Sequence, residues 1–157
     1  MIDRAGSAGL HLEDQVCPER CGHLAGKQVI EQAVMVDKIK AALDSRAQAG
    51  FHIMVRTDAL AVEGQAKTED RLHAYIEAGA MSIFFEAAPS LETYRSVVKK
   101  FSVPILANLT EFGKTPLFTV DEMKKTGISM LLYPLSAFRA MNHEAQKNYM
   151  VIRPKGE

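Results

Sequence analysis

The sequence predicts an α/β fold with a parallel sheet, in the form of a partial (β/α)8 barrel. Five short apolar segments recur, and stretches with a helical pattern fill the gaps between them, which is typical of βα units. The predicted strands are residues 8–12, 51–55, 81–85, 103–107 and 130–133. A doubly wound sheet shares this alternation, but polar residues follow each segment, and a barrel draws its functional groups from many strand ends at one rim. Five strands are too few to close an eight-stranded barrel, so the barrel is expected to be incomplete.

Each predicted strand is almost continuously apolar, which indicates a strand buried on both faces. The polar residues that follow the strands are, in order, Glu13-Asp14-Gln15, Arg56-Thr57-Asp58, Glu86, Asn108 with Thr110-Glu111, and Ser136. Because the carboxyl ends of parallel strands meet at one rim, these side chains are expected to face a common pocket.

Helical periodicity and capping signals define the predicted helices. The first covers residues 31–46 and the last covers residues 137–152. Between them, Thr68 is expected to cap a helix that Gly79 ends, Ser90 to cap a helix that runs to Phe101, and Thr119 to start a short helix that Gly127 closes.

The composition limits the number of domains, the partners and the compartment that we expect for this protein. The chain has 157 residues, 47% of them hydrophobic and 24% charged, with 19 basic and 19 acidic residues and a net charge of +0. We therefore expect one globular domain over residues 1–157. There is no run of like charges and no long apolar stretch, so neither nucleic acid nor a membrane is an expected partner. Two cysteines without a secretory signal favour the cytoplasm.

A loop after the first strand contains Cys21, Gly22 and His23. From the residues alone, three interpretations stay open for Cys21. The thiol is a reactive acid or nucleophile tuned by its neighbours, or half of a zinc site with Cys17 and His23, or a loop cysteine without a function. The zinc interpretation lacks the usual CxxC spacing and a second pair of ligands.

The strand ends supply carboxylates and arginines. Only one of Glu13 and Asp14 is expected to face the barrel axis, where it orients a magnesium-bound water or forms a salt bridge. Arg56 is expected either to hold a substrate carboxylate or to pair with Asp58 or Glu86. The remaining candidates are Arg139 as a second anion clamp, with Asn108 and Thr110 as neutral hydrogen-bonding groups. Together they predict a small polycarboxylate substrate.

Five blocks of sequence resemble the 2-methylisocitrate lyase family of the isocitrate lyase and phosphoenolpyruvate mutase superfamily. They are LHLEDQ at 10–15, RCGH at 20–23, RTDA at 56–59, PILANLTEFG at 104–113 and YPLSAFRAMN at 133–142. The resemblance implies β4 to β8 of the family's (β/α)8 barrel and a homo-oligomer, a tetramer in the family. It also implies Mg2+-dependent cleavage of 2-methylisocitrate, a small tricarboxylate, to pyruvate and succinate in the methylcitrate cycle of propionate catabolism.

The resemblance also implies roles for individual residues. Cys21 would be the general acid that protonates the succinate carbanion, in a loop shaped by Gly22 and His23, and Glu13 would lie in the outer shell of the magnesium ion. Cys21, His23 and Arg56 are thus the implied catalytic residues. The implied substrate contacts are Cys21, Gly22, Arg56, Glu86, Asn108, Leu109, Thr110 and Arg139.

Some features of the chain differ from the family pattern, and others distinguish between the branches of the superfamily. The chain has no tryptophan and has phenylalanine before Glu86, unlike the isocitrate lyases, and it keeps the cysteine loop that phosphoenolpyruvate mutases lack. Glu19 stands where the family has lysine, and no counterpart of the direct magnesium ligands is present. We therefore expect impaired activity. The alternatives are isocitrate lyase, an oxaloacetate- or phosphonopyruvate-type activity, or a non-catalytic remnant that associates with paralogues.

Overall fold

A computed structural model describes residues 2–155, and its centre is one parallel sheet of five strands. The strands are β1 (Gly9–Glu13), β2 (His52–Thr57), β3 (Ser82–Phe85), β4 (Ile105–Asn108) and β5 (Met130–Leu132). Each strand pairs in parallel with the next strand in sequence, so the spatial order is β1-β2-β3-β4-β5. A doubly wound sheet reverses its strand order, whereas a barrel keeps it. The predicted parallel α/β fold of partial-barrel type is confirmed.

Helices connect the strands on one face of the sheet. They are α1 (Gln32–Asp44), α2 (Leu60–Glu63), α3 (Gln65–Glu77), α4 (Leu91–Lys100), α5 (Val120–Lys124) and α6 (Ser136–Lys155), and a 3-10 turn covers Asp3–Ala5. The predicted helices all exist, with ends within a few residues of those expected. The short helix α2 and the 3-10 turn were not predicted, because single turns carry no periodic pattern.

Two of the three predicted caps are confirmed. The hydroxyl of Ser90 accepts a hydrogen bond from the backbone N–H of Thr93, and Thr119 forms a capping box with Glu122. The prediction that Thr68 is a cap is wrong. Helix α3 begins after Gly64, and the Thr68 hydroxyl donates to the Gly64 carbonyl at 2.8 Å from within the first turn.

The two faces of the sheet differ. On the helix side, alternate strand residues form the core with α1, α3 and α4; among them are Val55, Ile83, Phe85, Ile105 and Ala107. The other face carries Glu13, Arg56 and Asn108 at its carboxyl edge. Burial on both faces, predicted for every strand, holds throughout only for β3. The edge strands β1 and β5 have a neighbour on one side only and are partly exposed. In the central strands β2 and β4, the residues that are only half-buried lie on the face away from the helical core.

Helix α6 contrasts with the packed helices. Beyond Arg139 its described side chains are all exposed, including Met141, Tyr149 and Met150. Within residues 2–155, no helix has both the length and the apolar character needed to cross a membrane.

Candidate active site

A cavity of about 390 Å³ lies at the carboxyl ends of the strands. Its lining residues are Glu13, Glu19, Arg20, Cys21, Gly22, His23, Arg56, Glu86, Asn108, Thr110, Pro134, Leu135 and Arg139. The residues expected to contact substrate or magnesium are all among them except Leu109, which is fully buried in the hydrophobic core and donates its backbone N–H to Leu132 at 2.8 Å. The common pocket predicted for all the polar residues after the strands is only partly formed, since the cavity lining does not include Asp14, Gln15, Thr57, Asp58, Glu111 and Ser136. Residues from the ends of β1, β2, β3 and β4 do meet at one rim.

Arg56 lies among three carboxylates on the cavity wall. Its Nε is 2.9 Å from Asp58 Oδ2 and 3.3 Å from Glu13 Oε1, and its Nη2 is 3.7 Å from Glu86 Oε2. The ring of Phe84 lies under the guanidinium, 4.9 Å away. Burial alone would lower the pKa of Arg56, but the hydrogen bond to Asp58 and the surrounding negative charges raise it. Arg56 is thus a fixed cation that both pairs with carboxylates and faces the cavity.

Glu86 is almost fully buried and connects three parts of the site. Asn108 Nδ2 donates to it at 3.3 Å, and His23 Nε2 lies 3.0 Å from its Oε1. The other ring nitrogen, Nδ1 of His23, accepts a hydrogen bond from the backbone N–H of Lys114 at 2.9 Å. Nδ1 therefore carries no proton, and the N–H is on Nε2, which lies close to Glu86 without the alignment of a hydrogen bond. Burial lowers the pKa of His23, which also favours this neutral form.

Glu13 and Asp14 point in opposite directions from the end of β1. Glu13 lines the cavity, where Gln15 Nε2 donates to it at 2.6 Å. Burial raises the pKa of Glu13 to about 7, although Arg56 opposes the change. Asp14 is completely buried on the helix side of the sheet and accepts hydrogen bonds from the Thr57 hydroxyl at 2.7 Å and the Tyr75 hydroxyl at 3.0 Å.

Gly22 of the cysteine loop packs against the side chains of Asp58 and Glu86, which directly follow β2 and β3. A Cβ atom at Gly22 would lie 2.4 Å from Cγ of Glu86 and 2.6 Å from Oδ1 of Asp58, so no other residue fits there. Cys21 precedes this contact and is exposed at the cavity, as a proton donor to a bound ligand must be.

Arg139, in the first turn of α6, forms the opposite wall. It pairs with the carboxylate of Glu111, lies 3.4 Å from the Thr110 hydroxyl and stacks 5.6 Å from the ring of Phe112. Phe112 has a φ of 65°, and Leu135, which lines the cavity, has a φ of 63°. Bulky residues rarely adopt these angles, and such strain concentrates at functional sites.

One charged residue at the site was missed by sequence reasoning. Lys27 is 6% exposed, donates from Nζ to the Gly22 carbonyl, and lies 3.3 Å from Asp58 Oδ1. A lysine in a polar loop is ordinarily solvated, so the sequence carries no signal for its burial.

The described residues do not by themselves fit a metal ion. No three His, Cys, Asp or Glu side chains within residues 2–155 are grouped as ligands. The Glu13 carboxylate is already shared by Gln15 and Arg56, and Nδ1 of His23 is taken by a backbone N–H. The structure therefore does not support the zinc interpretation of Cys17, Cys21 and His23. The carboxyl group of Asp58 lies beside that of Glu13, but both are already paired with Arg56.

Sequence comparisons identify the family of the chain. A sequence model of the phosphoenolpyruvate phosphomutase family matches residues 1–152. The chain is 54% identical over 155 residues to a 2-methylisocitrate lyase of Salmonella typhimurium and 53% identical over 153 residues to one of Escherichia coli. These matches cover 99% and 98% of this chain and 52% of each relative. The chain thus spans about half the length of the curated relatives it matches.

Structural comparison gives the same grouping. An oxaloacetate acetylhydrolase superposes with a TM-score of 0.92 at 33% identity, over 98% of this chain and 52% of that protein. A 2,3-dimethylmalate lyase, described as a member of the PEP mutase/isocitrate lyase superfamily, superposes with a TM-score of 0.91 at 33% identity and the same coverage. The sequence match and the fold agree: this chain belongs to the phosphoenolpyruvate phosphomutase family.

Proposed function

We propose that this chain carries the cysteine-loop part of a 2-methylisocitrate lyase active site, which cleaves a tricarboxylate to pyruvate and succinate. The observation that carries the proposal is the cavity that an exposed thiol, Cys21, lines together with two arginines, Arg56 and Arg139. Relatives named 2-methylisocitrate lyase, up to 54% identical, support the choice of substrate.

The arginines bind the substrate carboxylates in this proposal. Planar guanidinium groups hold carboxylates through paired hydrogen bonds. Arg56 comes from the end of β2 and Arg139 from the start of α6, so a substrate with several carboxylates bridges the cavity between them. Asn108 adds a neutral contact, since its buried Oδ1 has no hydrogen-bond partner within the described residues and is able to accept from a substrate hydroxyl.

Cys21 completes the reaction by donating a proton. The substrate hydroxyl gives its proton to a general base other than the residues assigned above and becomes the ketone of pyruvate, while the carbon–carbon bond breaks and its electron pair passes to the adjacent carbon of succinate. The Cys21 thiol then protonates that carbon. The nearby cations Arg56 and Arg139 stabilise the negative charge that develops on the carboxylate as the bond breaks. His23, neutral and held by Lys114 and Glu86, orients the loop rather than transferring the proton.

The substrate methyl group needs an apolar contact. Pro134 and Leu135 line the cavity next to Arg139, and we assign the methyl group to their side of the site. A pocket of this kind distinguishes one methyl group by about 1–3 kcal/mol. The proposed preference for 2-methylisocitrate over isocitrate is thus expected to be moderate.

The wider context is what the family resemblance implies, and it is also proposed. We place the reaction in the methylcitrate cycle of propionate catabolism, in the cytoplasm of the cell, in a homotetrameric enzyme that requires Mg2+. The metal would be held by groups other than those described in residues 2–155, with Glu13 in its outer shell.

An exchange of segments tests the proposal. This chain replaces the matching segment of the Salmonella typhimurium relative, which is 54% identical to it, so that the complete enzyme contains the cavity described above. We expect pyruvate release from 2-methylisocitrate in the presence of Mg2+, and a loss of at least about 100-fold in the matched Cys21→Ala chimera. Pyruvate release that Cys21→Ala leaves intact would contradict the assigned role of the thiol. Turnover of oxaloacetate without turnover of 2-methylisocitrate would favour the activity named for the 33% identical structure.

A further inference from the structure

Lys27 is a buried cation in a loop that is otherwise mostly exposed. Only 6% of its surface is exposed, and its side chain contacts Gly22 and Asp58. A buried ammonium group is costly unless partners compensate its charge and satisfy its hydrogen bonds. Lys27 has both kinds of partner, a carbonyl and a carboxylate, and each lies at the candidate active site.

The loop around Lys27 is fixed at its base, and its tip is held by side chains: Gln15 bonds to the backbone of Arg20, His23 accepts from the Lys114 N–H, and Lys27 donates to the Gly22 carbonyl. At the base, Val16 and Gln28 share a backbone hydrogen bond of 2.9 Å, and the N–H of Ile30 donates to the Asp14 carbonyl at 2.8 Å. Loops closed in this way take their internal order from their own side chains. Lys27 is the charged side chain that reaches from the base back to the tip at Gly22.

Asp58 connects this contact to the substrate arginine. Its side chain is fully buried, lies 3.3 Å from Lys27 Nζ and accepts a hydrogen bond of 2.9 Å from Arg56 Nε. Burial would raise the pKa of Asp58, but the hydrogen bond and the charge of Arg56, followed by the charge of Lys27, hold it below its usual value. One carboxylate is therefore shared by the loop and by Arg56.

We propose that Lys27 is a positioning residue that holds the Cys21–Gly22–His23 backbone against the end of β2, and so places the thiol relative to Arg56. The lysine acts through the Gly22 carbonyl and Asp58 and touches no substrate. This inference rests on the proposed function, because that function is what requires the thiol to be placed accurately. A displacement of about 1 Å at an acid is enough to cost roughly 100-fold in rate.

The test measures the loop without any substrate, in the Cys17→Ser background so that Cys21 is the one thiol that reacts. The thiol is titrated with the disulfide reagent DTNB in the folded chain, and the pKa of His23 is followed by NMR. In Lys27→Met we expect Cys21 to react about tenfold faster, because the bulky reagent reaches the thiol more freely once the loop leaves the cavity wall. We also expect the pKa of His23 to rise toward its ordinary range, because its burial and the repulsion by the Lys27 charge are both lost.

Two variants serve as controls. Lys40→Met removes an exposed lysine on α1 and is expected to leave both readouts unchanged. Lys27→Arg keeps the charge and the donors and is expected to restore most of the wild-type rate. A Lys27→Met protein whose thiol rate equals that of Lys40→Met would overturn the proposal, even if its His23 pKa rose through the loss of the Lys27 charge or its thermal stability were reduced.

A second variant covers the case in which Lys27→Met does not fold. Asp58→Asn keeps the shape of the side chain and removes the charge that Lys27 faces, so the same acceleration is expected, and an unchanged rate refutes the proposal. Because no substrate is used, a chimera without lyase activity would count against the proposed function and leave this result standing.

Discussion

Glu13 and Asp14 are adjacent carboxylates with opposite environments. Glu13 faces the open cavity beside Arg56, whereas Asp14 is completely buried between the sheet and the helices. Asp14 accepts three hydrogen bonds, from Thr57, from the Asp58 N–H and from Tyr75. The alternation of side chains along a strand accounts for the difference, since neighbouring residues point to opposite faces.

The comparison separates two tasks within one dipeptide. From the helix side of the sheet, Asp14 holds the end of β2 by accepting hydrogen bonds from the Thr57 hydroxyl and the Asp58 N–H. Arg56 belongs to that same strand end. Glu13 contacts Arg56 on the cavity side of the sheet, in a position that solvent and ligands reach. Stability should therefore depend on Asp14, and the response of the site to pH should depend on Glu13.

The largest expected effect comes from Asp14→Ala. The substitution leaves the Thr57 hydroxyl, the Tyr75 hydroxyl and the Asp58 N–H without their buried acceptor, which we expect to lower the free energy of unfolding by about 3–5 kcal/mol. Urea denaturation followed by circular dichroism measures the change. Glu13→Ala is the matched control and is expected to cost less than about 1 kcal/mol. Equal losses in the two variants would remove the distinction between the two carboxylates.

The sequence was sufficient for much of this arrangement. The five strands, their polar ends and the expectation that only one of Glu13 and Asp14 faces the cavity all follow from local apolar patterns. The Ser90 and Thr119 caps were predictable for the same reason, because each bond joins residues three apart.

What the sequence did not show depends on contacts between distant segments. Lys27 is buried because β2 brings Asp58 to the loop, and His23 takes its tautomer from the backbone of Lys114, 91 residues away. Leu109 directs its side chain into the core although its neighbours Asn108 and Thr110 line the cavity. Alternation predicts that outcome for an extended strand, but the end of β4 at Asn108 was not fixed by the apolar pattern alone.

The second prediction concerns the pH dependence that Glu13 confers. Its pKa rises from 4.5 to about 7 in the folded chain, so the folded state holds the proton more tightly than the unfolded state. This contribution to stability is fully present below about pH 4.5 and is lost as the pH rises through about 7. In Glu13→Gln, the free energy of unfolding should not show this decrease between pH 5 and pH 8. The difference from wild type is on the order of 1–2 kcal/mol, because solvent in the cavity screens part of the effect. A wild-type and a Glu13→Gln curve that run parallel would contradict the assignment.

The third prediction examines the network behind Asp14. Tyr75 is fully buried, donates to Asp14 at 3.0 Å and accepts from Arg71 Nη1 at 3.0 Å. Tyr75→Phe removes both bonds but leaves Asp14 its other donors, so a loss of about 1 kcal/mol is expected in the same urea experiment. Tyr94→Phe is a matched control, since Tyr94 is equally buried and its hydroxyl has no charged hydrogen-bond partner among residues 2–155. A larger loss in Tyr94→Phe than in Tyr75→Phe would show that the network behind Asp14 adds little.

The smallest expected effect is that of magnesium on this chain, and it tests whether Glu13 alone attracts a cation. Glu13 is the member of the pair that solvent reaches, but Arg56 lies 3.3 Å from its carboxylate and no group of three ligands surrounds it in residues 2–155. A site weaker than about 10 mM would add only about 0.2 kcal/mol of stability at 5 mM Mg2+. Thermal melting with and without 5 mM MgCl2 should therefore differ by less than about 1 °C. A rise of several degrees in the melting temperature that Glu13→Gln abolishes would instead show that the Glu13 carboxylate binds the ion directly.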